Sequence, residues 1–232
     1  MISDTVGERV AQLRRAQGIS REDLAALVSG LGWPMGPAAV TNLESGRRDK
    51  ETGLRRREIT VDELLVLARA LRVPPILLLY PFGEIPRTEI APGVFGTPWA
   101  GVKWFSGETD LDGVPLEDDP GAAPLVLYRR HESAAAELAN VRFNAFSAVR
   151  DEFSEGGLSA GRLMYALRHG RAVNNGEVED LVAAALKADP DLASRHDLAI
   201  HDLQTVRGEM RRLRLLCPDP PAGSGIKEGT DG

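Results

Sequence analysis

Residues 19–48 read ISREDLAALVSGLGWPMGPAAVTNLESGRR, and two helices separated by a breaker follow from them. Ser20 supplies an N-cap hydroxyl, and Asp23 stands where its carboxylate can return a bond to the Ser20 amide. Leu24, Leu27, Val28 and Leu31 then recur at helical spacing. Gly32-Trp33-Pro34-Met35-Gly36 interrupts that helix. Pro37 suits the first turn of the next one, because the N–H it lacks has no partner there. Val40 and Leu43 are predicted to point inward, and Gly46 to end the helix.

The same grammar extends both ways. Upstream, Thr5-Val6-Gly7-Glu8 has capping-box spacing, Val6, Val10 and Leu13 share a face, and Gly18 is a stop. Downstream, Thr60-Val61-Asp62-Glu63 is a third capping box, followed by Leu64, Leu67, Ala68 and Leu71. Pro74-Pro75 then opens a short helix from Ile76 to Tyr80. Five helices are therefore expected between residues 5 and 80, in a domain spanning 1–83.

Residues 84–124 are rich in proline, glycine and acidic groups, and are expected to form an extended acidic linker. Within it, Thr97-Pro98-Trp99 can start one helical turn that brings Trp99, Val102 and Phe105 together. Their expected role is to anchor on a neighbouring domain; a ligand pocket and a partner epitope are the other readings. Residues 125–217 read as a helical dimerisation or interaction domain. Its first helix runs from Leu127 to Phe153, with Leu138, Val141, Ala145, Val149 and Phe153 on one stripe. Gly156-Gly157 breaks it, a helix follows from Leu158 to His169, Asn174-Asn175-Gly176 turns, and Val178 to Lys187 is helical again. After the Asp189-Pro190 start, Leu192, His196, Ala199, Leu203, Val206, Met210, Leu213 and Cys217 alternate by four and three. That period belongs either to a coiled coil between chains or to a helical hairpin within one. Residues 218–232 are expected to be disordered.

The 232 residues carry 28 Lys+Arg against 34 Asp+Glu, a net charge of −6. The sum hides a gradient. Residues 1–80 hold 12 basic and 10 acidic side chains, whereas 81–124 hold 2 and 8. Arg47, Arg48, Lys50, Arg55, Arg56 and Arg57 fall within one short stretch. A positive field at one face, rather than the sum, governs nucleic-acid binding. The single cysteine, Cys217, excludes an intrachain disulfide and a Cys-based zinc site. His131, His169, His196 and His201 have no metal-ligand spacing, and no phosphate-cradling glycine loop is present. No catalytic residue, metal or cofactor is expected. No apolar stretch long enough for a membrane span, and no signal-peptide pattern, is found, so a cytoplasmic protein is expected.

Two helices joined by a turn, the second short and polar outside, form a helix-turn-helix pattern whose second helix can enter a major groove. Pro37, Ala38, Thr41 and Asn42 face away from Val40 and Leu43. Asn can bond adenine through two atoms, Thr offers a hydroxyl and a methyl, and Ala can touch a thymine methyl. The helix starts at Ser20 and Pro37, with Arg21, Arg47, Arg48, Arg55 and Arg56, are candidates for the phosphate backbone. Leu13-Arg14, Ile19 to Ala25, Val40 to Arg48 and Leu64 to Val73 resemble the phage-repressor/Cro-like (XRE-type) helix-turn-helix over about a third of the chain. The resemblance implies a five-helix lambda-repressor-like domain, base reading by Pro37, Ala38, Thr41 and Asn42, a DNA contact by Arg21, and a structural ion pair between Arg14 and Glu44. The turn from Ser29 to Gly36 and the loop from Asp49 to Ile59 are longer than that family's pattern.

The expectation is an all-α chain that binds double-stranded DNA as a transcriptional regulator of repressor type. It is expected to form a homodimer through a seam that includes Leu203, Val206, Met210 and Leu213. The alternatives are an antitoxin-like autoregulator whose C-terminal helices bind a protein partner, and a ligand-responsive regulator with a pocket lined by Trp99, Trp104 and Phe105.

Overall fold

The computed structural model describes residues 1–51, 53, 55–149, 176–221 and 224–226. The described chain is mostly helical with one two-stranded sheet, and it divides into two compact units, Met1–Leu116 and Glu117–Gly232. The first unit therefore takes in most of the segment expected to be a linker.

The first unit begins with α1 (Ile2–Ala16), α2 (Arg21–Gly30), α3 (Pro37–Ser45), α4 (Val61–Leu71) and α5 (Ile76–Leu79). The capping boxes of α2 and α4 form as their spacing predicts: Ser20 and Thr60 accept from the amides of Asp23 and Glu63, whose carboxylates reach back to the cap amides. Each such cap is worth about 1 kcal/mol. The box expected at Thr5 does not form. Helix α1 starts a turn earlier, at Ile2, with no side-chain cap, which lets Ile2 pack beside Val6 and Val10 and leaves Thr5 and Glu8 inside the helix. Val10, Leu24, Val28, Val40, Leu67, Leu71 and Leu78 are fully buried at the centre of the five helices. Gly7 permits the crossing of α1 and α3: a Cβ there would stand 2.4 Å from the Leu43 carbonyl oxygen. Gly46 ends α3 in the left-handed region at φ 59°.

The expected extended linker is instead folded. Strands β1 (Thr88–Ala91) and β2 (Val94–Gly96) form an antiparallel hairpin, and α6 (Pro98–Phe105) follows, capped by the Thr97 hydroxyl. Tyr80, Ile90 and Val102 supply the apolar cluster that makes this possible, and the Tyr80 hydroxyl donates to the Ile90 carbonyl at 3.0 Å. Gly101 lets α6 lie against the Tyr80 ring, where a Cβ would meet Cε1 at 2.6 Å. The aromatic side chains of α6 do not converge. Trp99 meets Phe82 edge-on at 5.6 Å and Phe105 meets Tyr80 at 6.1 Å; of Trp99, Val102 and Phe105, Val102 alone is buried.

The second unit comprises α7 (Ala123–Val149), α8 (Gly176–Ala188) and α9 (Pro190–Arg212). Helix α7 starts before the expected Leu127. Phe153, the Gly156-Gly157 break, the helix from Leu158 to His169 and the Asn174-Asn175 part of the turn lie outside the described residues. Asp189 caps α9 through the amides of Asp191 and Leu192. The heptad seam is occupied within the chain: Ala199 and Leu203 pack with Leu138, and Val206 and Met210 pack with Leu127. Of the expected dimer seam of Leu203, Val206, Met210 and Leu213, the first three thus serve as hairpin core. Leu213 departs from it and is half exposed, because α9 stops at Arg212 and Arg214 turns the chain through the left-handed region. The chain then folds back, with Leu215 and Cys217 against the Leu127 cluster and the Leu216 carbonyl accepting from the Tyr128 hydroxyl at 2.6 Å. The described part of the expected disordered tail is also placed: Ile226 packs on the Leu138 cluster, and the Pro218 carbonyl accepts from Arg207. Among the described residues, no helix is long and apolar enough to cross a membrane, and no group of three His, Cys, Asp or Glu is placed to hold a metal.

Candidate nucleic-acid interface

Helix α3 has one inward and one outward face. Val40 and Leu43 are buried; Pro37, Ala38, Thr41 and Asn42 are exposed. The Thr41 hydroxyl donates to the Pro37 carbonyl at 3.0 Å, which leaves its lone pairs and methyl outward. The long turn before α3 is held by one side chain. The Ser29 hydroxyl accepts from the Met35 amide at 3.1 Å and donates to the Met35 carbonyl at 3.2 Å, while the Met35 side chain is buried. Trp33, at the turn's crest, is exposed. The extra length is thus absorbed without loosening the start of α3.

Glu44 ties the three N-terminal helices together. Its carboxylate receives Arg14 Nε at 2.6 Å and Nη2 at 3.2 Å, and Arg21 Nε at 2.7 Å. Arg14 Nη1 also donates to the Ile19 carbonyl at 2.7 Å, closing the turn into α2. Burial pushes the Glu44 carboxyl up, but the hydrogen bonds and charges of Arg14 and Arg21 outweigh it and hold the group below its ordinary value. Arg14 is raised in turn by its hydrogen bond to Glu44, against the effect of its own burial. The Arg14–Glu44 ion pair is therefore present. Arg21, expected at the phosphate backbone, belongs to the same pair, with 40% of its side chain exposed. Ser20 and Asp23 are occupied in capping α2, and the Ser20 bonds hold the exposed Asp23 carboxyl below its ordinary value.

The arginine loop after α3 is ordered by a residue whose role is the reverse of the expected one. Arg55, a candidate for the phosphate backbone, is buried, with 3% of its side chain exposed. It donates to the Leu43 carbonyl, to Asp4 Oδ1 at 3.0 Å and to the Arg57 carbonyl at 3.0 Å. Three oxygens, one of them charged, make burial of the guanidinium tolerable. Around this anchor the loop doubles back: Arg48 and Arg55 form an antiparallel bridge, and the Arg56 amide donates to the Arg47 carbonyl at 2.9 Å. Arg47, Arg48 and Arg56 remain exposed. Arg48 leans on Asp4 at 3.4 Å and on the Gly53 carbonyl, Arg56 lies 3.7 Å from Asp49, and Arg47 pairs with no carboxylate among the described residues.

Asn42, Arg47, Arg56 and Arg57 line a cleft of about 360 Å³ between α3 and this loop, together with Ala39, Leu43, Arg55, Glu58 and Ile59. Asn42 and the loop cations Arg47, Arg56 and Arg57 thus share one concavity, while Pro37, Ala38, Thr41 and Arg48 lie outside its lining. Arg57, which the sequence places only in the basic stretch, reaches Glu63 at the start of α4 with its guanidinium while it lines the cleft. Asp4 was not singled out either, and no local signal marks it: its partners Arg48 and Arg55 lie 44 and 51 residues away. Comparison with family models, with curated proteins and with solved structures returns no match.

Proposed function

We propose that the first unit binds double-stranded DNA in a sequence-dependent way and that the protein is a transcriptional regulator of repressor type. In this reading α3 lies in a major groove, with Asn42, Thr41, Ala38 and Pro37 toward base edges. Arg47, Arg48 and Arg56 meet phosphates of the adjoining backbone, and Arg21 contributes beside the start of α2. The observation that carries the reading is the shared cleft, where the amide side chain of Asn42 stands beside the cations of Arg47 and Arg56. An amide at the groove floor and cations at its rim are the two chemistries that separate base reading from backbone positioning. Short side chains on the exposed face of α3 allow the close approach that such reading requires, and the chain's acids lie largely outside residues 1–80.

The test is selection of bound duplexes from random sequence by the full-length protein. Enrichment of a defined site is the expected result. Binding that falls with salt but enriches no sequence would reduce the activity to backbone attraction, and no binding at low salt would remove the proposal. Two copies on a palindrome would gain affinity through effective concentration, so a palindromic site is expected.

A further inference from the structure

Helices α7 and α9 carry the same two residues at the same spacing. His131 and Arg142 lie eleven residues apart on α7, and His196 and Arg207 eleven apart on α9. Eleven residues make about three helical turns, so each pair falls on one face. Those faces meet: His131, Arg142 and Arg207 are buried, and the His196 side chain is 14% exposed. Leu127 packs with Met210 and Leu138 with Ala199, so the helices run antiparallel and each histidine meets the arginine of the other helix. At one end, Arg207 Nη1 lies 3.2 Å from His131 Nε2 and also donates to the Pro218 carbonyl, while Arg207 Nε is buried without a partner. Among the described residues, no carboxylate pairs with Arg207. At the other end, the charge of Arg142 acts on His196, and Arg142 itself donates to Glu179 of α8 at 2.6 Å.

We propose that the His131–Arg207 contact is an acid-sensitive latch: a proton on His131 opens this end of the α7–α9 pair and releases the segment that follows α9. Arg207 has donors only, so His131 Nε2 is the acceptor and the closed latch needs a neutral ring. Protonation turns that acceptor into a donor and sets two cations face to face at 3.2 Å, where burial leaves little water to screen them. Burial, and then the Arg207 charge, hold the His131 group below its ordinary value of 6.5. Among the described residues, Arg207 is the charged group that faces His131; the segment after α9 brings the Pro218 carbonyl and the Cys217 thiol, which donates to the Arg207 carbonyl at 3.7 Å. His196 supports the latch more weakly. Burial and Arg142 lower it, while Asp197 on its own helix and Glu179 of α8 raise it. The segment depends on the same arginine, through Pro218; its other ties are Leu215 and Cys217 on the Leu127 cluster and the Leu216 carbonyl on the Tyr128 hydroxyl. The open form binds its proton at the ordinary value and the closed form at a lower one. Opening therefore grows as pH falls below about 6.5, above the range in which Glu44 titrates.

The experiment reads Cys217, the chain's single cysteine, in the full-length protein without DNA, so that its outcome is independent of whether the protein binds DNA. Its rate of reaction with 4,4′-dithiodipyridine is divided, at each pH, by the rate in urea-unfolded protein. Opening that takes up one proton grows by at most about tenfold per pH unit, and the normalised rate is expected to rise about tenfold from about pH 7 to about pH 5. His131→Gln, which keeps an acceptor for Arg207 and takes no charge, is expected to hold the low rate throughout. His201→Gln, at an exposed position of α9, is expected to leave the rise intact. An NMR titration of the His131 ring in wild type covers the case in which His131→Gln does not fold; a value below the ordinary one is expected. A wild-type rate that stays flat overturns the proposal. So does a rise that His131→Gln retains or that His201→Gln abolishes, or a His131 ring that titrates at or above 6.5.

Discussion

Arg14 and Glu44 lie 30 residues apart and meet through two hydrogen bonds, Nε to Oε1 at 2.6 Å and Nη2 to Oε2 at 3.2 Å. The pair joins the end of α1 to the last turn of α3, with the Glu44 side chain only 2% exposed. Because Arg21 of α2 shares the carboxylate, one buried acid sets the angles of three helices.

Removing that acid leaves a buried guanidinium without its counter-charge, a change that costs roughly 3–5 kcal/mol in comparable sites. Glu44→Gln is therefore expected to lower the urea midpoint substantially without changing the slope. An unchanged midpoint would mean that the pair is dispensable.

The pH dependence has a definite sign. The folded protein holds Glu44 below its ordinary value of 4.5, so the unfolded chain binds its proton at higher pH than the folded one does. The resulting stabilisation is complete above about pH 4.5 and is lost as pH falls through the lower, folded value. Wild type should lose stability across this acid range more steeply than Glu44→Gln. Parallel curves for the two proteins would assign the acid sensitivity to other groups.

Arg55 and Arg47 should separate by assay. Arg55→Met removes the anchor of the arginine loop and takes a donor from the Leu43 and Arg57 carbonyls and from Asp4 Oδ1, so a loss of stability of about 1–3 kcal/mol is expected. Arg47→Ala touches nothing buried; its melting temperature should not move. On DNA it should weaken binding to all sequences alike and reduce the salt slope by about one unit. The opposite assignment, with Arg47→Ala unstable and Arg55→Met stable, would reverse the roles drawn from burial.

Asn42→Ala and Thr41→Ala should each reduce discrimination between the selected site and random duplex by about 1–3 kcal/mol while weak binding persists. Affinity measured on both duplexes decides this. Equal losses on the two would make these side chains general contacts rather than readers of bases.

Leu203→Ala should cost about 2–5 kcal/mol, since it opens a cavity between α9 and α7. It should not change the oligomeric state of protein that remains folded. A monomer–dimer shift in Leu203→Ala would mean that the α9 row also contacts a second chain.

The elements that could be read in advance are those specified within a few residues. The starts of α2 and α4 follow from Ser20 with Asp23 and Thr60 with Glu63, and the course of α3 follows from Pro37, the Val40–Leu43 spacing and Gly46. Thr5 has the spacing of a capping box, yet α1 starts at Ile2, which packs on the core. The segment after residue 83 folds into a hairpin and a helix rather than a linker, since its prolines and glycines suit turns as well as linkers. Nothing local to Ile90 or Val102 announces that Tyr80 will cover them.

At the interface, exposure of Pro37, Ala38, Thr41 and Asn42 was legible from helical period alone, since Val40 and Leu43 claim the opposite face. The arginine loop was not. Its six basic residues look equivalent in the sequence, yet burial sorts them: Arg55 inward to Asp4 and Leu43, Arg57 onto Glu63, Arg47 outward alone among the described residues. That sorting depends on an acid 51 residues away.

What the chain determines by sequence alone is where helices begin and which faces are apolar, because capping and periodicity act over a single turn. What only the tertiary structure decides is what covers each face. The heptad row on α9 was equally suited to a second chain or to α7, and α7 covers it from within the same unit at high effective concentration. Of the segment around Trp99, Val102 is buried against Tyr80 and Ile90, while Trp99 and Phe105 remain more than half exposed. Apolar pattern sets the demand for burial; the partner depends on which surface chain connectivity brings within reach.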